Sequence, residues 1–215
     1  MDILYEDDCI VVCYKPAGIA TQTRAVGQQD MVSLVANHIN ASGGNSQVFV
    51  VHRLDQPVEG VMVLAKTAEA ASKLSQQITD HTFIKKYYCV ITSETIPDEG
   101  ELIDYLIKDA RTNLSRVVKK SDSRAKKARL AYRTVDRWDN RRLLEITLYT
   151  GRHHQIRVQL SSRSAPILGD VKYGGEATGR SLALCSHYIG FRHPQTGKFM
   201  EFDIEPKGED FRRRN

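Results

Sequence analysis

Hydrophobic and polar positions at the start of the chain follow patterns that predict strands and a helix. Residues 2–15 alternate as a β-hairpin does, with the acidic triplet 6–8 as its turn. Apolar side chains recur at helical spacing over residues 31–39, which predicts a short helix. Two runs rich in β-branched residues, 48–51 and 61–65, predict buried strands. We therefore expect both element types in this part of the chain.

The remaining residues add a second helix, further strands and a final hairpin. Thr67 can cap a helix whose apolar stripe is Ala70, Leu74 and Ile78. The later predicted elements are strands at 83–92, 130–135 and 143–148, a helix at 152–161, and a hairpin of residues 182–191 and 198–204. Because strands predominate and do not alternate regularly with helices, we expect an α+β fold with a large mixed, mostly antiparallel sheet.

A polar segment of nine residues, 52–60, lies between two of the predicted strands. Strands that flank a loop mount it rigidly, and active-site groups are often placed on such loops. Within the segment, Asp55 follows Arg53 closely, and a guanidinium beside a carboxylate keeps it ionised and fixed in direction. The same residue types also occur in ordinary surface turns, so the pattern alone does not decide between the two interpretations.

Length and composition fit a globular protein. The chain has 215 residues, of which 41% are hydrophobic and 27% are charged, and this usage excludes disorder of the whole chain. No window approaches ~18 uninterrupted apolar residues, and the start lacks the features of a signal peptide, so we expect a soluble, cytoplasmic protein. The four cysteines lie in apolar runs without a C-x-x-C pair, and we expect them to be buried rather than bound to zinc or paired in disulfides.

Positive charge is concentrated in one segment. The formal net charge of the chain is +5, yet residues 108–133 contain ten basic and two acidic residues, a local charge of +8. Such asymmetry suggests a polyanionic partner, although a solvated lysine-rich loop has the same composition. We expect a single domain over residues 1–215 with a basic insertion or loop at about 108–129.

Two further patterns point to other chemistry. Residues 174–181 fit G-x-x-x-x-G-[KR]-S, but Arg180 replaces the usual lysine and no buried strand leads into the segment, so a P-loop NTPase is a remote alternative. His153 and His154 are adjacent in sequence rather than four residues apart. We therefore expect no metal site there.

Several motifs in one order resemble those of the RluA-type pseudouridine synthases. Residues 52–66 are similar to that family's signature loop, and Lys85-x-Tyr87 resembles its K-x-Y strand. The other matching segments are 5–7, 15–18, 150–157 and 166–170. The resemblance extends from about residue 2 to residue 205. One departure is Val58-Glu59, which stands where the family usually has Thr-Ser and adds a second carboxylate near Asp55.

The resemblance implies an enzyme with the pseudouridine synthase catalytic fold that isomerises uridine to pseudouridine in structured ribosomal or transfer RNA. Asp55 matches the catalytic carboxylate, Tyr87 the tyrosine that stacks on the flipped uracil, and Arg157 the arginine that pairs with the catalytic aspartate. The reaction needs neither a redox cofactor nor a metal. Whether Asp55 attacks the ribose, attacks the base or removes a proton stays open, as does a catalytically silent RNA-binding relative.

We expect no separate N-terminal RNA-binding domain of the kind that many relatives carry, and we therefore expect RNA contacts from the catalytic domain itself. We expect His52 and Arg53 to shape the loop, with Arg53 alternatively wedging into the base stack. Arg152 is the rival candidate for the arginine that pairs with Asp55. A helix over 152–161 would turn Arg152 and Arg157 apart by ~140°, so both could not face Asp55. The basic side chains expected to contact phosphates are Lys119, Lys120, Lys126 and Lys127. We expect a monomer that binds RNA and neither a nucleotide cofactor nor a membrane.

Overall fold

The computed structural model describes residues 1–23, 27–44, 47–179 and 181–213. The chain divides into two compact units. Unit 1 comprises Met1–Ile84 and Ser186–Pro206, and unit 2 comprises Lys85–Cys185 and the residues from Lys207 onward. The single domain over residues 1–215 stays a prediction.

Strands predominate in both units. The strands are β1 (Asp2–Glu6), β2 (Ile10–Lys15), β3 (Phe49–Val50), β4 (Glu59–Ala65), β5 (Ile84–Ile91), β6 (Glu99–Asp109), β7 (Leu114–Val118), β8 (Lys126–Trp138), β9 (Arg141–Leu148), β10 (Leu184–Arg192) and β11 (Phe199–Asp203). The α-helices are α1 (Met31–Ala41), α2 (Ala68–Thr79) and α3 (Gln155–Ser161). No helix that the described residues form is long and apolar enough to span a membrane.

Unit 1 is built on the strand order β1-β2-β4-β10, with β3 against β4 and β11 against β10. The predicted hairpins β1–β2 and β10–β11 are confirmed, and both are antiparallel. Every residue of β2 and β4 is buried, because both faces of these strands are covered. Thr67 caps α2 through the backbone N–H of Ala70, as predicted, and Ala70 and Leu74 pack into the core.

Unit 2 has the strand order β5-β9-β8-β6-β7, and each of these pairings is antiparallel. Alternate residues of β9 are buried, which is the pattern of a strand with one face on the core. Helix α3 follows β9 and packs on the sheet through Val158, which lies with Leu106 and Ala128 in one apolar cluster. Tyr173 packs against the same cluster.

Strands β6 and β7 are absent from the elements that the sequence predicts. The segment expected as a basic insertion or loop, about 108–129, is not a loop, since it holds the end of β6, all of β7 and the start of β8. Its being an insertion stays a prediction. Only Leu102 and Leu106 of β6 are buried, so the alternation is carried by two side chains in eleven residues. Between them lie Ile103, which is exposed although apolar, and the half-buried Asp104 and Tyr105, so the sequence shows no alternation of apolar and polar residues.

Two smaller expectations are also corrected. The P-loop alternative fails because residues 174–179 form a loop after a 3-10 turn, with no helix whose N-terminus could receive a phosphate; Arg180 lies outside the described residues. Cys13, Cys89 and Cys185 are buried as expected, but Cys9 is half-buried and its Sγ lies 3.3 Å from Oε1 of Gln195.

Candidate active site

The loop 52–60, which carries Asp55, is fixed by backbone hydrogen bonds within unit 1. Leu54 donates its N–H to Oγ1 of Thr21 over 3.1 Å, and the Thr21 hydroxyl donates to the Leu54 carbonyl over 2.9 Å. The carbonyl of Asp55 accepts the N–H of Val58 over 3.0 Å and closes a turn. The backbone on both sides of Asp55 is therefore held in place, while the Asp55 side chain is half-buried.

Lys15 at the end of β2 contacts the same loop through its side chain. It is fully buried, and its Nζ donates to the carbonyl oxygens of Pro16, Ile19 and Gln56 at 2.9, 2.6 and 3.1 Å. Burial lowers the pKa of Lys15 to about 8, and the charges of Asp55 and Glu59 act against that shift. Lys15 thus holds Gln56, the residue after Asp55, next to the segment that follows β2. It also places a positive charge near the Asp55 carboxylate.

The end of the loop shows what the departure at Val58-Glu59 does. Glu59 is buried and its carboxylate accepts a short hydrogen bond from the hydroxyl of Tyr14. Gly60 has φ of 133°, and a Cβ there would lie 2.3 Å from the carbonyl oxygen of Ser186. Only glycine fits this close approach. The second carboxylate is therefore held inside unit 1 by Tyr14.

His52 and Arg53 differ in their surroundings. Nε2 of His52 accepts the backbone N–H of Val63 over 3.1 Å, and its ring lies 5.5 Å from the ring of Phe83. His52 therefore fixes the loop against β4, which agrees with the shaping role expected from the sequence. Arg53 is exposed. Contacts of either residue with substrate stay predictions.

Tyr87 lies on β5 in unit 2. It is 7% exposed and pairs in register with Ile146 of β9. Lys85 is two residues earlier, so it projects from the same face of the strand. Burial lowers the pKa of Lys85, and a Cβ on Gly151 would lie 3.6 Å from its Nζ.

Arg157 on α3 has a partner that the sequence analysis does not name. Its Nε and Nη2 donate to the two carboxylate oxygens of Asp170 over 2.8 and 2.7 Å. Both residues are buried, at 4% and 2% exposure. The Tyr173 ring centre lies 5.1 Å from Cζ of Arg157. Within unit 2 Arg157 therefore pairs with Asp170, and its pairing with Asp55 stays a prediction.

Arg152 does not lie on α3. The predicted helix 152–161 begins at Gln155 instead, because His154 adopts a left-handed φ of 53°. Oε1 of Gln155 accepts the N–H of Arg152 over 3.0 Å. The ~140° rotation argued from a helix covering both arginines is therefore wrong. Arg152 is exposed, and its Nε donates to the carbonyl of Lys127 over 2.9 Å.

The adjacent histidines are engaged with polar neighbours. Nδ1 of His153 lies 2.9 Å from Oγ of Ser115, and Nδ1 of His154 lies 2.8 Å from the hydroxyl of Tyr173. Burial first, and then the charge of Arg157, lower the pKa of His154 to about 3. A neutral His154 therefore shares a hydrogen bond with the tyrosine hydroxyl.

A group of possible metal ligands lies elsewhere, in unit 1. The donor atoms of Asp7, Cys9 and His193 lie within 4.8 Å of one another. The Asp7 carboxylate already accepts the N–H groups of Cys9 and Ile10 at 2.7 and 2.9 Å and lies 2.7 Å from Nε2 of His193. Burial raises the pKa of the Cys9 thiol, which disfavours the thiolate that binds metal. These contacts describe a hydrogen-bonded turn rather than a metal centre.

The four lysines expected to contact phosphates lie on the β7–β8 connection of unit 2, residues 119–127, which runs from the end of β7 into the start of β8. Lys126 and Lys127 open β8, where they pair with Leu106 and Tyr105 of β6. The basic residues expected to contact RNA phosphates are all exposed: Lys119, Lys120, Lys126, Lys127 and, outside this segment, Arg152. The structure therefore presents them to solvent, as phosphate contacts require.

Comparison with known proteins places the chain in a family. A family model described as RNA pseudouridylate synthase matches residues 9–162. The chain is 33% identical to the ribosomal large subunit pseudouridine synthase D of Zymomonas mobilis, over 95% of this chain and 69% of that protein. It is 29% identical to the protein of the same name in Neisseria meningitidis, over 94% of this chain and 57% of that protein.

Solved structures support the fold. The chain superposes on human RNA pseudouridylate synthase domain containing 4 with a TM-score of 0.79 and 22% identity, covering 96% of this chain and 89% of that one. Human RNA pseudouridylate synthase domain containing 1 gives a TM-score of 0.77 at 16% identity, covering 95% and 83%. The predicted α+β fold and the family resemblance are confirmed. The chain belongs to the RNA pseudouridylate synthase family, a family of isomerases.

Proposed function

We propose that this protein isomerises specific uridines to pseudouridine in structured RNA, with Asp55 as the catalytic carboxylate. The observation that carries the proposal is the fixed backbone around Asp55 in a chain of this family, since Thr21 and Lys15 hold the loop on either side. A positioned carboxylate is what the reaction asks of the protein. The names of the curated relatives favour ribosomal RNA over transfer RNA.

The reaction is an isomerisation without a change of oxidation state. The bond between ribose C1′ and uracil N1 breaks, the base turns, and a bond from C1′ to C5 forms; C5 then loses a proton and N1 gains one. Asp55 serves as the nucleophile or as the base in this sequence. Tyr87 is proposed to stack on the uracil and to take part in proton transfer. Arg157 is proposed to pair with the catalytic carboxylate and keep it ionised.

Access to the uridine requires that the base leave its stack, which costs a few kcal/mol. We assign the exposed lysines of the β7–β8 connection and Arg152 to the RNA backbone, because phosphate contacts help offset that cost without reading sequence. The proposed roles of His52 and Arg53 are to hold and shape the loop that receives the flipped nucleotide.

The test is pseudouridine formation by the purified protein. RNA labelled with tritium at C5 of uridine releases tritium to water when C5 bonds to the ribose, and sequencing chemistry specific for pseudouridine locates the product. Asp55→Asn is expected to abolish release while leaving RNA affinity nearly unchanged, because the amide has the shape of the carboxylate without its nucleophilicity. The matched control is Asp8→Asn, which changes an exposed carboxylate of the same unit.

A turnover by purified Asp55→Asn protein close to the wild-type rate contradicts the assignment of Asp55. Binding of RNA by the wild type without tritium release, across ribosomal and transfer RNA lacking their pseudouridines, favours the catalytically silent relative instead.

A further inference from the structure

The Arg157 guanidinium is held by more than one contact. Its two hydrogen bonds to Asp170 are short, 2.8 and 2.7 Å, and run side by side. A bidentate pair of this kind fixes the plane of the guanidinium as well as its position. The Tyr173 ring, 5.1 Å from Cζ, restricts the guanidinium from a second direction.

Tyr173 is itself fixed at several points. Its hydroxyl lies 2.8 Å from Nδ1 of His154 and accepts the backbone N–H of Ser115 over 2.8 Å. The hydroxyl is therefore held by two hydrogen bonds, one to the His154 ring and one from the Ser115 backbone. Its backbone carbonyl accepts the hydroxyl of Ser161 at the end of α3 over 2.6 Å.

The backbone that carries both residues is also closed on itself. Asp170 donates its N–H to the carbonyl of Ile167 over 3.0 Å, and its own carbonyl accepts the N–H groups of Tyr173 and Gly175 over 3.0 and 2.8 Å. A Cβ on Gly175 would lie 2.2 Å from the carbonyl oxygen of Ile167. This segment therefore has little room to move, and it presents Asp170 and Tyr173 in fixed positions.

We propose that Asp170 and Tyr173 are positioning residues of the reaction, which act by holding the Arg157 guanidinium in the orientation that catalysis needs. The inference rests on the proposed function of Arg157. A purely structural pair would stabilise unit 2 and nothing more, whereas a positioning pair sets the rate of the chemical step. Kinetics at saturating RNA separate the two roles, since that regime removes the binding step.

The first test is Asp170→Asn, which keeps the shape of the side chain and removes the charge that pairs with Arg157. We expect the single-turnover rate at saturating RNA to fall by roughly tenfold or more, with the RNA concentration for half-maximal rate unchanged within about twofold. Tyr173→Phe keeps the ring and removes the hydroxyl, and we expect a smaller fall in the same rate. This second variant keeps the proposal testable should Asp170→Asn not fold.

The matched control is Asp104→Asn. Asp104 accepts Nη1 and Nη2 of Arg163 over 2.9 and 3.2 Å, so it forms a second two-pronged aspartate–arginine pair in unit 2. This change is expected to lower the melting temperature without lowering the rate. A third arm combines Asp170→Asn with Arg157→Ala, and we expect the double variant to be no slower than Arg157→Ala alone.

A wild-type rate for Asp170→Asn or Tyr173→Phe at saturating RNA overturns the proposal, as does a loss that multiplies with that of Arg157→Ala. Equal rate losses in Asp170→Asn and Asp104→Asn also overturn it, because they would mark a general effect of stability. The wild-type protein is measured in every series. Absence of turnover in the wild type refutes the proposed function itself, and that result is distinct from any of these.

Discussion

Lys15 shows how one buried charge can organise a functional loop. Its side chain is fully buried and donates to three backbone carbonyls, so removal of the ammonium leaves all three acceptors without that donor. Lys15→Met keeps most of the length and the apolar stem. We expect it to lower the free energy of unfolding by about 2 kcal/mol or more, measured by urea denaturation.

The control for that measurement is Lys73→Met, because Lys73 is exposed and pairs across one turn of α2 with Glu69. Such a surface pair contributes below ~1 kcal/mol. Equal losses in the two variants would show that Lys15 contributes no more than a surface lysine.

The two arginines near α3 give a second residue-scale prediction. Arg157→Ala leaves the buried Asp170 carboxylate without its partner, at a cost of about 3–5 kcal/mol, and is expected to lower the single-turnover rate at saturating RNA strongly, to a level that is still measurable. Arg152 is exposed, so Arg152→Ala should mainly raise the RNA concentration needed for half-maximal rate. Single-turnover kinetics over a range of RNA concentrations measure both terms.

Two results would contradict this division of roles. One is a larger rate loss at saturation for Arg152→Ala than for Arg157→Ala. The other is full activity of Arg157→Lys, which retains the charge but lacks the two-pronged geometry.

The sequence could indicate which residues matter at the site more easily than what they contact. Asp55 lies in a polar loop between apolar strands, a pattern that surface turns share, and the motif singles it out. Asp170 and Arg157 are thirteen residues apart and meet only because the chain turns back after α3. Lys15 ends an apolar run, which marks it as unusual, but its three carbonyl partners come from turns that no local pattern predicts.

At the scale of elements, long apolar runs predicted well and polar strands did not. β2 and β4 are buried along their whole length, so apart from Lys15 and Glu59 at their ends each appears in the sequence as a continuous apolar run. β6 buries only Leu102 and Leu106, and its other side chains carry no signal of pairing. Strand pairing comes from backbone hydrogen bonds, which a polar strand forms without an apolar pattern.

The start of α3 was misplaced for a local reason. His154 has φ of 53°, a conformation that costs most residues energy and is therefore hard to expect at a histidine. Gln155 compensates, because its side-chain oxygen accepts the hydroxyl of Thr150 and the N–H of Arg152 over 2.8 and 3.0 Å. A side chain that closes a turn in this way delays the helix by three residues.

The β7–β8 connection is the subject of the prediction at element scale. Reversing its four lysines at 119, 120, 126 and 127 to glutamate should weaken binding of all RNAs alike and flatten the slope of log affinity against log salt. The measurement is RNA binding over a series of salt concentrations. The matched control reverses the same number of exposed charges elsewhere, at Lys73, Arg192, Lys198 and Arg212.

An unchanged salt slope in the variant of the β7–β8 connection would show that this connection is a solvated surface. An equal flattening in both variants would show that net charge, rather than its location, governs binding.

At the scale of the whole molecule, charge and family membership lead to the same class of partner. The chain carries +5 overall, but the segment 108–133 carries +8, which leaves the rest of the chain slightly acidic. A protein that bound polyanions through its net charge alone would not need this asymmetry. The asymmetry therefore supports RNA binding by one surface, in a family named for its action on RNA.

The stability of the molecule should depend on pH through His154. Burial and Arg157 lower its pKa to about 3, whereas an unfolded histidine titrates near 6.5. Between these values the unfolded chain binds a proton at this side chain and the folded chain does not, so the free energy of unfolding falls as pH is lowered through that window. His154→Asn removes the titration and suits the left-handed backbone. Urea unfolding between about pH 6 and pH 4 should therefore show a steeper loss of stability for the wild type than for this variant.

His81→Asn is the control, because His81 is exposed and has a similar φ of 58°, and its curve should run parallel to that of the wild type. Parallel curves for the wild type and His154→Asn would contradict the assignment of a buried, neutral imidazole.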